Sequence, residues 1–304
     1  MILAKGKKQK KNAAFEEAIA GYLFMLPVLI GLLIFLVGPV IYSFIISFKD
    51  FTFLNTDLSK WVGLDNYKNI LHDKMFHKAL WNTLRYTLVV VPMQTILALL
   101  LGYFCSQDIK FKTFFRSAYY LPSVTSSVAV TAIFMFLFSG KGLANVFLSN
   151  FGFQAKSWFA DPKYALPLCM IIAIWTTTGT YMILFMAGIT EIPKSLYEAA
   201  QVDGATEFQK FTNITLPLLR PTTFFVVVMG LIGALQIFDY SFIISGGNGG
   251  PVDSTLTVVL YLYRKAFSHF EMGYASAIAF ILFIIIFILT LLQKKLLESG
   301  FSRD

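Results

Sequence analysis

Residues 192–221 read IPKSLYEAAQVDGATEFQKFTNITLPLLRP. They are the one long polar and punctuated segment between two strongly apolar runs in the second half of the chain, which makes them a water-exposed loop between two membrane helices. Ser195-Leu196-Tyr197-Glu198 has the form of a capping box, in which the Ser and Glu side chains satisfy orphan N–H groups at a helix start. Gly204 is placed to stop that helix, because glycine takes the left-handed conformation beyond a helix C-terminus without steric cost. Thr206-Glu207-Phe208-Gln209 is a second capping box, and Phe211 with Ile214 gives the helix it opens an apolar stripe. Pro217 and Pro221 are expected to end that helix and mark the start of the next span. The stretch therefore predicts two short helices joined at a glycine and projecting from a membrane.

The rest of the chain supplies the membrane. Of 304 residues, 57% are hydrophobic and 14% charged, and the mean hydropathy of +0.68 lies far above that of an ordinary soluble domain. Six apolar runs, near 22–48, 81–104, 117–138, 165–189, 218–244 and 274–292, each reach the ~20 residues needed to cross about 30 Å of hydrocarbon. The fold class is thus all-α and integral to the membrane, with six transmembrane helices. Gly38-Pro39 predicts a kink or break in the first span, and Pro122 falls in the first turns of the third. The first run is much longer than a signal-peptide core and no small-residue cleavage pattern follows it, so it reads as a retained span. Three regions follow: a basic tail and interfacial helix over 1–20, a six-span membrane domain over 21–293, and a tail over 294–304.

The net charge of +8 does not form a folded basic face, because five lysines sit in the first eleven residues. An even number of spans puts both termini on one side. Lys and Arg number 14 on that side and 11 on the other, with the lysine tail and the short loop before span three deciding the bias. The positive-inside rule then makes both termini, and the 192–221 loop, cytoplasmic. Cys105 and Cys169 lack metal-ligand spacing and read as structural. His72, Asp73 and His77 hint at a metal, but the histidines fall on different helix faces and no third ligand is evident, so a solvated loop and no metal site are expected. Arg85 near the outer end of span two can attract a charged solute or snorkel to headgroups.

Within the loop, Glu198-Ala199-Ala200, Asp203-Gly204-Ala205, and Phe211, Ile214, Leu216 and Pro217 resemble the EAA loop of permease subunits of ATP-driven, binding-protein-dependent (ABC) importers. Gly21 to Pro27, Val62 to Tyr67, Asn82-Thr83-Leu84, Tyr120-Leu121-Pro122, Phe238-Asp239, Gly246-Gly247 with Gly250-Pro251, and Gly273 to Ala277 are similar to the carbohydrate branch of these permeases. Within that branch they look like the glycerol-3-phosphate and multiple-sugar type, over nearly the whole chain. The extra spans and large external domain of the maltose-type subunit have no counterpart here. The resemblance implies a type I importer permease fold and a cytoplasmic coupling loop. It also implies a second, homologous permease, two ATPase subunits and an external solute-binding protein as partners in the cell membrane. The coupling residues it implies are Glu198, Ala199, Ala200, Asp203, Gly204, Ile214, Leu216 and Pro217. Glu198 can cap its own helix, meet the ATPase, or do both.

No G-x-x-x-x-G-K-[ST] occurs, so no cofactor is expected in this chain, and ATP with Mg would sit on the partner. The chain is not read as an enzyme, since no convergent catalytic set lies in the spans. A gradient-driven carrier would bury paired carboxylates, whereas Asp239 is the clear ionisable candidate inside a span. A sugar path needs aromatic faces and neutral hydrogen-bonding groups near mid-membrane. Gln94, Trp175, Thr178, Tyr181, Gln236, Asp239 and Tyr240 are the candidates, with Gln236 and Tyr240 expected on one helix face at i, i+4. Interhelical hydrogen bonding explains the same residue types, and a phosphorylated polyol remains an alternative cargo.

Overall fold

The computed structural model describes residues 20–52, 59–107, 110–152 and 154–298, with side chains described to residue 295. The basic tail, nearly all of the expected interfacial helix and residues 299–304 lie outside the described residues. Helix α1 (Ala20–Ile46) is the first span. Its Gly38-Pro39 step does not break it: a π-helical turn over Leu33–Val37 takes up the missing proline N–H, with the Gly38 amide donating to the Leu33 carbonyl. A two-stranded ribbon, β1 (Lys49–Asp50) antiparallel to β2 (Lys60–Trp61), and helix α2 (Asp65–His72) follow the C-terminal end of α1. Asn66 Nδ2 donates to the carbonyls of Ser47 and Lys49 at 2.9 and 3.0 Å, which fixes α2 to the end of α1.

Helix α3 (Lys74–Ser106) starts earlier than the apolar run near Trp81, because Asp73 caps it by accepting from the amides of Met75 and Phe76 at 2.8 and 3.4 Å. The expected third span is not one helix. α4 (Lys112–Val124) and α5 (Ser127–Leu137) meet at a bend of 97°. Pro122 near the end of α4, and the extended Thr125 that follows it, divert the chain there. Short α6 (Leu143–Ser149) lies in the following loop, and α7 (Ala165–Glu191) is the fourth span. The corner α8 (Lys194–Val202) and α9 (Glu207–Lys210) leads through a π turn at Phe211–Thr215 and a turn at Leu216–Leu218 into α10 (Arg220–Leu235). Pro217 and Pro221 thus mark a change of helical register rather than an end: each stands in the first turn of a helix, where its missing N–H costs nothing.

The fifth span is interrupted at residues 236–238 before α11 (Asp239–Ser245). Short α12 (Val258–Tyr263) precedes α13 (Met272–Glu298), which continues past residue 293. Among the described residues, five helices are long and apolar enough to cross a membrane as they stand, and the bent α4/α5 pair, counted as one span, makes the sixth.

Three buried clusters lie along α3. The one nearest the N-terminus of α3 joins Ile70 and Phe76 to Leu256, Leu260 and Ile278. The middle one joins Tyr86 and Val90 to Met170 and Ile237, and the innermost joins Ala98 and Cys105 to Phe185 and Leu219. Close approach between spans relies on glycine, since packing without a hydrophobic drive needs near backbone contact. A Cβ on Gly102 would stand 2.9 Å from Phe185 Cβ, and one on Gly179 only 2.3 Å from the Tyr119 carbonyl oxygen. Threonine hydroxyls of α3 and α7 donate four residues back to their own helices, as at Thr87, Thr95 and Thr178, so few polar groups are left over.

Candidate functional site

Two regions hold the residues singled out from the sequence. The first is the α8–α9 corner. α8 opens after Pro193 with no side-chain cap, so Ser195 lies within the first turn and its expected capping box does not form. Proline presets the helical start without needing a capped N–H. Glu198 therefore caps nothing. Its side chain is exposed and has no hydrogen bond or ion pair among the described residues. Asp203, the C-cap residue, is exposed in the same way. Gly204 takes φ +76°. The Ala205 amide donates to the Ala200 carbonyl at 2.9 Å and the Gly204 amide to that of Gln201 at 3.1 Å, the paired bonds of a Schellman ending. The second capping box forms as read, with Gln209 N donating to Thr206 Oγ1 at 3.3 Å and Thr206 N to Gln209 Oε1 at 2.8 Å.

The corner is braced from beneath. Tyr197 and Thr215 share a hydroxyl hydrogen bond of 2.8 Å between α8 and the π turn. The Phe211 ring packs edge-on to Tyr103 of α3 at 4.7 Å, and Ile214 joins the innermost core cluster. Lys210 is buried and paired with Glu207 at 2.8 Å. What faces outward is Ala199 beside Glu198, with Val202 89% and Phe208 75% exposed at the tip. Ala200 with Asp203 and Gly204 lines a hollow of about 300 Å³, while Leu216 is exposed and Pro217 half-buried where the chain turns back to the membrane. Val202 and Phe208 were not singled out from the sequence, although two apolar side chains flanking a glycine corner in a polar loop are a readable sign of a covered surface.

The second region is mid-membrane. Gln94 is buried and clamped: Thr177 Oγ1 donates to its Oε1 at 2.6 Å, and a Cβ on Gly230 would stand 2.5 Å from its Nε2. It ties α3 to α7 and α10 rather than facing a path. Tyr181 packs against the innermost core cluster. Gln236 and Tyr240 do not share a helix face, because the chain leaves helical geometry between them: Phe238 has φ −134° and ψ −56°. The interruption leaves Gln236 exposed and starts α11 at Asp239.

The remaining candidates fall into two neighbouring sets, Asp239 with Tyr240 and Trp175 with Thr178. Asp239 Oδ2 accepts from Ser127 Oγ at 3.1 Å, which joins the interruption of the fifth span to the start of α5, just past the bend of the third. Tyr240 and Thr176 share a 2.8 Å hydroxyl bond, next along α7 from Trp175. Trp175 and Thr178 line a cavity of about 400 Å³ between α3, α4 and α7, with Met93, Tyr119 and Pro122. Discontinuous helices that meet through a carboxylate and a hydroxyl, beside a cavity walled in part by aromatic rings, are the arrangement transport proteins use at solute sites. Ser127 was missed in the sequence, where the run Ser-Val-Thr-Ser-Ser after Pro122 was its only sign.

At the N-terminus of α3, Asp73 is no solvated loop residue. Its carboxylate also accepts from the hydroxyls of Tyr261 and, at 2.7 Å, Tyr274. Burial alone would raise its pKa, but the two tyrosine hydroxyls and the amides of Met75 and Phe76 outweigh that and hold it below the ordinary carboxylate value. Among the described residues no group of three His, Cys, Asp or Glu stands close enough to hold a metal ion.

Residues 94–299 match the family described as the binding-protein-dependent transport system inner membrane component. The chain is 38% identical over 290 residues to a probable ABC transporter permease protein, YesP, of Bacillus subtilis, covering 94% of this chain and 93% of that protein. It is 36% identical to the arabinooligosaccharides transport system permease protein AraP of the same organism, covering 95% and 92%. Among solved structures it is similar to the bacterial alginate ABC transporter in complex with an alginate pentasaccharide-bound periplasmic protein. That match has a TM-score of 0.79 and 25% identity, covering 96% of this chain and 98% of that one.

Proposed function

Because this chain belongs to the inner membrane components of binding-protein-dependent transport systems, we propose that it is one of two permeases enclosing the path of an ATP-driven oligosaccharide importer. It is a multi-pass membrane permease of the type I fold and a transport protein rather than an enzyme. The carbohydrate cargo follows from its similarity to the arabinooligosaccharide permease and to the alginate transporter.

The single observation that carries the coupling role is the α8–α9 corner. It is braced to α3 and to the π turn that leads into α10, yet it presents exposed Val202 and Phe208 together with Glu198 and Asp203, whose carboxylates have no partner among the described residues. Two unpaired carboxylates around small and apolar side chains are an interface awaiting a partner with a basic rim and an apolar hollow. In our reading that partner is one of two ATPase subunits, which hold ATP and Mg, so the corner and both chain termini are cytoplasmic. Closure of the ATPases pushes the corner, and the brace through Tyr197–Thr215 and Phe211–Tyr103 carries the movement into α3 and α10. An external binding protein delivers the saccharide at the opposite end. The cargo then passes Trp175, Thr178, Gln236, Asp239 and Tyr240, where polar groups can replace water around its hydroxyls.

Proteoliposomes holding both permeases, the ATPase pair and the binding protein test this. Saccharide uptake should require ATP inside and binding protein outside. Uptake driven by an ion gradient without ATP would overturn it.

A further inference from the structure

A cavity of about 420 Å³ opens at the end opposite the α8–α9 corner, between the loop after α5 and the glycine-rich 245–251 stretch. Met135, Phe138 and Phe159 give it apolar walls, and Ser139, Ser157 and Ser245 give it hydroxyls. Phe138 does not end there. Its ring lies 6.4 Å from Phe159 and 6.1 Å from Phe134, and Phe134 lies 5.5 Å from Trp175, which lines the mid-membrane cavity. Four rings therefore run without a gap from the outer cavity to the inner one.

These rings are not buried filler. Phe134, Phe138 and Phe159 are half-buried and Trp175 is 49% exposed. Ser127, Phe134 and Phe138 stand at i, i+7 and i+11, which puts them on one face of α5 and its last turn. The face that carries the Ser127–Asp239 hydrogen bond thus continues outward as aromatic surface. Apolar ring faces next to carboxylate and hydroxyl groups match a sugar, which offers C–H faces rimmed by hydroxyls.

We propose, resting on the carbohydrate reading above, that Phe159, Phe138, Phe134 and Trp175 form a track along which an oligosaccharide passes from the outer cavity to mid-membrane. Each sugar ring stacks in turn on an aromatic face. Several weak sites in series suit transport, because each holds the cargo without trapping it.

The test uses the complete complex in proteoliposomes, with arabinobiose to arabinotetraose and maltose to maltotetraose as probes. Tyrosine keeps the planar face at positions 134 and 138, whereas leucine keeps apolar bulk without it. F134L and F138L should lower uptake of the accepted trisaccharide by about five-fold, the worth of one stacking contact, while F134Y and F138Y stay within about two-fold. ATP hydrolysis without saccharide should match wild type in all four. Leucine variants that transport like wild type, or tyrosine variants that fall as far as leucine, would show the rings to be packing elements and overturn the track. Wild-type complex that imports none of the probes, yet imports another class of solute, would instead remove the carbohydrate reading, and the track with it.

Discussion

Gly230 and Gln94 show how much a single position controls where spans meet. A Cβ on Gly230 would stand 2.5 Å from Gln94 Nε2, and Gln94 is already held by Thr177. Replacing Gly230 by valine should therefore cost about 1–3 kcal/mol through overpacking. Detergent-solubilised complex should melt lower, and Q94A should restore part of the loss, because the two changes share one contact. Capping gives a second contrast. T206A should cost ~1 kcal/mol of local stability and S195A less than about 0.5, read as faster amide exchange in the corner of the first variant alone. Gly204 and the Thr206 box were legible in the sequence because both depend on local backbone chemistry. The Ser195 box was not, because Pro193 starts the helix two residues earlier and leaves Glu198 free.

Between elements, Asp73 fastens the N-terminal end of α3. It caps α3 and at the same time holds Tyr261 of α12 and Tyr274 of α13. Its carboxyl titrates below the ordinary value of 3.8, so the stability it adds is fully present above that value and is lost as pH falls through the lower folded-state value. Thermal unfolding should be flat in this contribution from neutral pH to about 5, then weaken below about 4. D73N should start lower and lose that acid-dependent part. The helix count and most span positions were readable from apolar run length. The bend between α4 and α5 and the gap before α11 were not, since hydropathy is blind to breaks inside an apolar run; at the gap the freed Ile237 carbonyl accepts from Thr257 Oγ1. Those breaks bring Ser127 to Asp239 and separate Gln236 from Tyr240.

Across the whole molecule, the corner that meets the proposed ATPase and the mid-membrane site lie at different levels of one bundle, connected by α3 and by the α10–α11 span. α3 runs past all three core clusters, from the Asp73 cap to Tyr103 under the corner, and so can carry displacement between them. This link depends on the corner keeping its shape, which rests on Gly204 at φ +76° with open space where a Cβ would lie. A side chain there meets no clash, so the cost is confined to backbone strain of about 1–2 kcal/mol, too little to unfold a membrane bundle but enough to alter the corner. The decisive measurement is saccharide uptake and ATP hydrolysis by reconstituted complexes carrying wild type, G204N and G204V, after equal membrane insertion has been verified. Asparagine tolerates the left-handed conformation and should keep most coupling; valine does not, and should lose at least about ten-fold in uptake and in binding-protein-stimulated hydrolysis. Wild-type uptake by G204V would contradict the account.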